Sequence, residues 1–160
     1  MRQQQIVMRQ LDDGHEETLW RPSMENKQVL KALDVSPDGK TLAIARTLDG
    51  DNVILAIPIA GGAVREVVRL PGTGTIYQSA GFYWASDGES LFFGKSLTYG
   101  SGLASAILCR VAADGGEPQE LGVTIDKLFH FSIHPDGKRI AYSTGDRINE
   151  VDVLKNVSPN

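Results

Sequence analysis

The stretch "VSPDGKTLAIA", residues 35–45, is written twice more along the chain, as "WASDGESLFFG" at 84–94 and "IHPDGKRIAYS" at 133–143. Aligned on Gly39, Gly88 and Gly137, the three copies follow one another at two equal spacings of 49 residues. Each has an apolar strand start after the turn ("LAIA", "LFFG", "IAYS") and an apolar incoming strand before it ("ALDV", "GFYW", "FHFSI"). Every copy therefore predicts a β-hairpin with Asp-Gly chemistry at its tip. Pro37 and Pro135 preset φ at the first turn position, and the glycine supplies the left-handed conformation that a Cβ would strain. The middle copy carries Ser86 where proline stands in the others, which predicts a looser turn.

A second element recurs between the hairpins. "ILAIPIAGGAVREVVRL" from Ile54, "LCRVAADGGEPQEL" from Leu108 and the opening "IVMRQLDDGHEETLW" each read strand, glycine turn, strand. Gly14, Gly62 and Gly116 align at spacings of 48 and 54, the longer one containing the loop "KSLTYGSGLAS" at 95–105. The chain thus reads as one four-stranded unit, repeated. Strands three and four occupy 1–25, whole units 26–75 and 76–125, and strands one and two 126–160, with "INEVDVLKN" as a further third strand. Four short antiparallel strands at a period just under 50, with Gly-rich turns and no helical periodicity, predict the blades of a β-propeller. The expected fold is all-β, a partial propeller of about three blade-equivalents.

Composition narrows the function classes. A chain of 160 residues, 41% hydrophobic and 22% charged, suffices for one domain with a true core. The net charge is −4 and the 16 basic residues are scattered, so no nucleic-acid partner is expected. The single cysteine, Cys109, permits no internal disulfide and reads as a buried thiol in "AILCRV". No apolar run has signal-peptide or membrane-span length, so no membrane contact is expected of this chain.

The hydrophobic-Ser-Pro-Asp-Gly-Lys-x-hydrophobic-Ala pattern at Val35–Ala45, with a Gly-Gly hairpin about twenty residues on, resembles the repeat of TolB-like, or WD40-like, β-propellers. The copy at 133–143 fits with His134 in the serine position, and the copy at 84–94 fits more loosely, lacking Pro and Lys. "INEVDVLKNVSPN" is similar to the last segment of TolB-like propellers that form the sensor-like part of bacterial membrane serine/threonine kinases. Asp152 and Lys155 depart from that pattern. The resemblance implies a non-catalytic scaffold or sensor module that binds protein or peptide, the C-terminal part of a larger propeller protein, in an extracytoplasmic setting. The rival it leaves open is the propeller accessory domain of a prolyl-oligopeptidase-like hydrolase or of a lyase.

No catalytic constellation, metal site or cofactor is expected from the motifs. Asp38, Asp87 and Asp136 recur in step and read as turn formers. "TLDGDN" at 47–52 has too few spaced oxygen ligands for a calcium loop, and His15, His130 and His134 lack the spacing of a zinc site. In propellers the long loops emerge on the face opposite the Asp-Gly and Gly-Gly turns, here "PGTGTIYQS" at 71–79 and the loop at 95–105. Partner contact is accordingly expected at Tyr77, Gln78, Lys95 and Tyr99, joined by Lys127 and His130 from the next connection. About three blades leave open edges. Either this is the end of a longer propeller, or two copies join head to tail as a homodimer, completing a six-bladed ring.

Overall fold

The computed structural model describes residues 5–21, 30–72, 75–76, 81–97 and 105–145. Among these there is no helix. Thirteen strands form four antiparallel sheets. Sheet I pairs β1 (Ile6–Arg9) with β2 (Glu16–Trp20). Sheet II runs β3 (Leu30–Val35), β4 (Thr41–Leu48), β5 (Asp51–Pro58), β6 (Arg65–Leu70) in chain order. Sheet III has its first strand in two pieces, β7 (Thr75–Ile76) and β8 (Phe82–Trp84), both paired to β9 (Ser90–Ser96), then β10 (Ala106–Ala112) and β11 (Gln119–Ile125). Sheet IV pairs β12 (Leu128–Ile133) with β13 (Ile140–Thr144). These are blades of a β-propeller: two whole ones and, at either side, a two-stranded one.

The strands read as apolar runs rather than alternations because both faces of each whole sheet are covered. Successive side chains point to opposite faces. On β4 and β5, Leu42, Ile44, Val53, Leu55 and Ile57 turn toward sheet I and pack with Ile6, Leu19 and Trp20. Their neighbours Ala43, Ala45, Ile54 and Ala56 turn the other way, against Phe82, Leu91, Phe93, Cys109 and Val111 of sheet III. Sheet III repeats the division. Phe92, Ala106 and Leu108 face Leu128 and Phe131 of sheet IV. The aromatic residues are the wedges between sheets, and Tyr83 meets Phe131 edge-on with centroids 5.0 Å apart. Small residues set the closest approaches: a Cβ on Gly115, at φ 104°, would lie 3.2 Å from the Val67 carbonyl oxygen of the neighbouring sheet. Arg46 is buried between sheets I and II, its guanidinium 4.8 Å from the Trp20 ring centroid, and burial pulls its pKa down against the opposing pull of Asp49.

Polar bonds tie the sheets at the repeat period. The Trp84 backbone N–H donates to Asp34 Oδ2 at 3.0 Å, and its indole Nε1–H donates to the Asp34 carbonyl oxygen at 3.3 Å. One period on, Ser86 Oγ donates to the Pro135 carbonyl oxygen. The serine that replaces proline in the middle turn thus joins that turn to the next one, so the looseness expected from losing the ring is offset by a bond between sheets.

Turn chemistry divides the molecule into two faces. Ile59 N–H donates to the Lys40 carbonyl and Ala113 N–H to the Glu89 carbonyl, each at 2.8 Å, so the Asp-Gly and Gly-Gly turns of one sheet lie side by side. On the other face, Ser105 Oγ donates to Asp126 Oδ1 at 2.6 Å, bringing the end of the 95–105 loop to the β11–β12 turn. "TLDGDN" forms the tight β4–β5 turn there, with positive φ at Asp49 and Gly50 and Asp51 bound to Arg69 at 3.2 Å. Asp34→Ala should destabilise the chain by about 1–3 kcal/mol, because it strands a partly buried N–H of Trp84. Urea denaturation checks this, and a midpoint unchanged from wild type would refute the role given to Asp34.

Candidate functional site

The Asp-Gly turns of sheets II and III stand next to each other, and between them opens a cleft of about 440 Å³. Its lining comes from both turns (Ser36, Pro37, Asp38 and Ser86, Asp87, Gly88), with Thr41, Trp84, Ala113 and Arg65 at the start of β6.

The first wall is made rigid by its own turn. Ser36 N–H donates to the Thr41 carbonyl and Gly39 N–H to the Ser36 carbonyl, each at 2.8 Å, with Gly39 at φ 71°. Ser36 Oγ donates to Asp38 Oδ1 at 2.7 Å and accepts from Thr41 N–H at 2.9 Å, while Lys40 N–H donates to Asp38 Oδ1 at 3.0 Å. The Ser36 hydroxyl, then the Lys40 amide, hold the Asp38 carboxyl below the usual carboxylate range. The second wall repeats the backbone bonds, with Gly88 at φ 74° and Asp87 Oδ1 accepting from Glu89 N–H at 2.9 Å. The turn of sheet IV keeps the same frame. There, Lys138 N–H, then Arg139 and His134, draw the Asp136 carboxyl down.

The recurring aspartates are therefore turn formers, as their spacing implies. Asp38, held ionised by fixed donors, is poorly suited to carry a proton near neutrality. Cys109 is fully buried in the sheet II–III core, and burial pushes its thiol up to about 11, far from a nucleophile's range. Among the described residues no group of three His, Cys, Asp or Glu could hold a metal ion, and no helix is long and apolar enough to cross a membrane. What the cleft offers is fixed polarity: two carboxylates, one guanidinium, the hydroxyls of Ser36, Thr41 and Ser86, and the indole of Trp84.

Of the residues expected to contact a partner, the described ones do not line this cleft. Tyr77, Gln78 and Tyr99 lie outside the described residues. Lys95 is at the loop-face end of β9, where its Nζ donates to Glu120 Oε1 at 3.0 Å across β10, and that bond raises its pKa. Lys127 holds φ 51° in the β11–β12 turn, its carbonyl accepting from Gly145 N–H. His130 is exposed on β12, opposite Ser143. Arg65 and Trp84 were not singled out from the sequence as site residues. The usable signal was the period: turns one repeat apart must stand side by side, so whatever flanks them shares a cleft.

Comparison with solved structures agrees with this architecture. The chain is similar to TolB from Acinetobacter baumannii, with a TM-score of 0.65 and 19% identity over 90% of this chain and 33% of that one. It is also similar to a candidate 6-phosphogluconolactonase from Bacteroides uniformis ATCC 8492, with a TM-score of 0.54 and 17% identity over 88% of this chain and 40% of that one. The class is therefore a TolB-like β-propeller fold. The chain spans a third of the first of these proteins and two fifths of the second. No family model and no curated protein matches the sequence.

Two outcomes follow for the site. Asp38, whose folded pKa is depressed, contributes stability that is complete above its unfolded value of about 3.9 and is lost as pH falls through the folded value. Ser36→Ala should raise the Asp38 pKa toward the ordinary range in a carboxyl NMR titration; an unmoved titration would show that the hydroxyl is not the cause. Cys109 should resist iodoacetamide in the native protein at pH 8 and react in urea. Rapid native labelling would contradict its burial.

Proposed function

We propose that this chain is a non-catalytic β-propeller module that binds a protein or peptide partner, as part of a larger scaffold or sensor protein. The observation that carries this reading is the cleft between the stacked Asp-Gly turns. Its polar groups are presented by rigid hairpins, and Asp38 is committed to holding the turn rather than to moving protons. Recognition on such a scaffold needs fixed donors and acceptors, which the two turns and Arg65 supply. The long-loop face, with Lys95, Lys127 and His130, is the alternative surface for such a partner.

A rival reading is the propeller part of an enzyme, favoured by the likeness to the candidate lactonase. Panning a random peptide library against the immobilised chain separates the two. The binding reading expects enriched peptides whose Kd rises at least about tenfold, or about 1.4 kcal/mol, on Arg65→Glu or Asp87→Asn at unchanged Tm. Peptides sensitive instead to Lys95→Ala or His130→Ala would move the contact to the loop face. Absence of enrichment, or sustained hydrolysis of 6-phosphogluconolactone by the purified chain, would overturn the proposal.

A further inference from the structure

Sheets I and IV are complementary two-stranded pieces of the repeated four-stranded unit. Sheet I supplies strands three and four and sheet IV supplies strands one and two; among the described residues neither β1 nor β13 has a second neighbour. We propose that a second copy of this chain docks edge to edge, β13 of one copy against β1 of the other, and that the contact made twice closes a ring of six blades.

The whole blades specify the register. In sheet II, strand two meets strand three as Leu42 opposite Ile57, Ala43 opposite Ala56 and Ile44 opposite Leu55. In sheet III the pairs are Leu91 with Val111, Phe92 with Arg110 and Phe93 with Cys109. Both sets stand at the same offsets from their turn glycines, Gly39 with Gly62 and Gly88 with Gly116. Carried to Gly137 and Gly14, the rule places Ala141 opposite Met8 and Tyr142 opposite Val7. Tyr142 is 55% exposed and Val7 38% exposed. Tyr142 already stands opposite Phe131 on β12 and Val7 opposite Thr18 on β2, and this pairing gives each an apolar neighbour on its open edge as well.

The remaining exposed apolar strand residues fall where the partner copy would lie. On β3, Asp34 bonds to Trp84 and Ala32 packs on the sheet II–III core, so Leu33 and Val35 face the opposite side, toward sheet I. They are 52% and 46% exposed, and among the described residues sheet I has no first strand to cover them; β12 of the second copy would supply it. Leu121 and Val123 flank Gly122 where the pairing of β11 with β10 is interrupted, and Ile125, just beyond them, packs beneath Leu128 and Phe131. The partner's β1 and β2 would extend sheet IV across them. All six exposed large hydrophobic residues that lie on described strands are covered by this one docking, while the other three, Leu11, Val64 and Leu97, lie between strands.

A closed two-fold ring also removes both free edges, which are otherwise templates for aggregation. The test is a cysteine pair in the 160-residue chain. Val7→Cys with Tyr142→Cys, oxidised by copper phenanthroline, should give a covalent dimer on a non-reducing gel. Val7→Cys with Ala141→Cys should give at least about tenfold less, since Ala141 projects from the other side of β13. Cys109 is buried and adds no background. Light scattering on the unaltered chain, which needs no substitution to be tolerated, should give twice the chain mass. A folded monomer at about 50 μM would overturn the proposal and assign the open edges to blades of a longer chain, as would equal crosslinking of the two cysteine pairs.

Discussion

Each whole sheet in this molecule has two apolar faces to remove from water, and the neighbouring sheet is what removes them. That constraint explains why β4, β5 and β9 carry unbroken runs such as "LAIA", "VILAI" and "LFFG" instead of an alternation of apolar and polar residues. It also explains the size distribution across the seams. Between sheets II and III, Ala43, Ala45 and Ala56 on one side receive Leu91 and Phe93 from the other, small against large, so that the layers interlock. The bonds between Asp34 and Trp84, and between Ser86 and Pro135, then select one relative position from those the apolar faces alone would tolerate.

The hairpin tips were legible in the sequence because what shapes them is local. Pro at the first turn position, Asp two residues after the hydrogen-bonding serine or histidine, and a glycine with positive φ are requirements that eleven residues can express in full. The order of the hairpins along the chain was legible as well, since it follows from counting the turns, while the further third strand expected at "INEVDVLKN" lies outside the described residues. Other features depend on geometry between segments. The split of the first strand of sheet III into β7 and β8, and the interrupted pairing of β11 with β10 between Ile107 and Cys109, leave no pattern in composition.

The candidate site divides in the same way. Asp38 and Asp87 could be recognised as turn formers from their neighbours alone. Their standing beside Arg65, far from either turn along the chain, is a product of the C-terminal hairpin of sheet II folding back onto the turn face. Lys95 was legible as a residue at the loop end of a strand, but its engagement by Glu120 across an intervening strand was not, because it requires the register of three strands at once. Ser86 is the instructive case between the two: its departure from the repeat was visible, and its bond to Pro135 is the reason the departure is harmless.

Among the described residues, each of the three apolar clusters joins two adjacent sheets, so these sheets pack as a row. Its cooperativity is then that of a linear array, in which the free energy of opening any sheet depends on how many flanks it shares. Among the described residues, sheets II and III are flanked on both sides and sheets I and IV on one. Amide protons should accordingly grade in protection from the middle of the row outward, with fraying at the outer pairs preceding any loss of the centre, and any neighbour added to an outer sheet stiffens its flank without altering the middle.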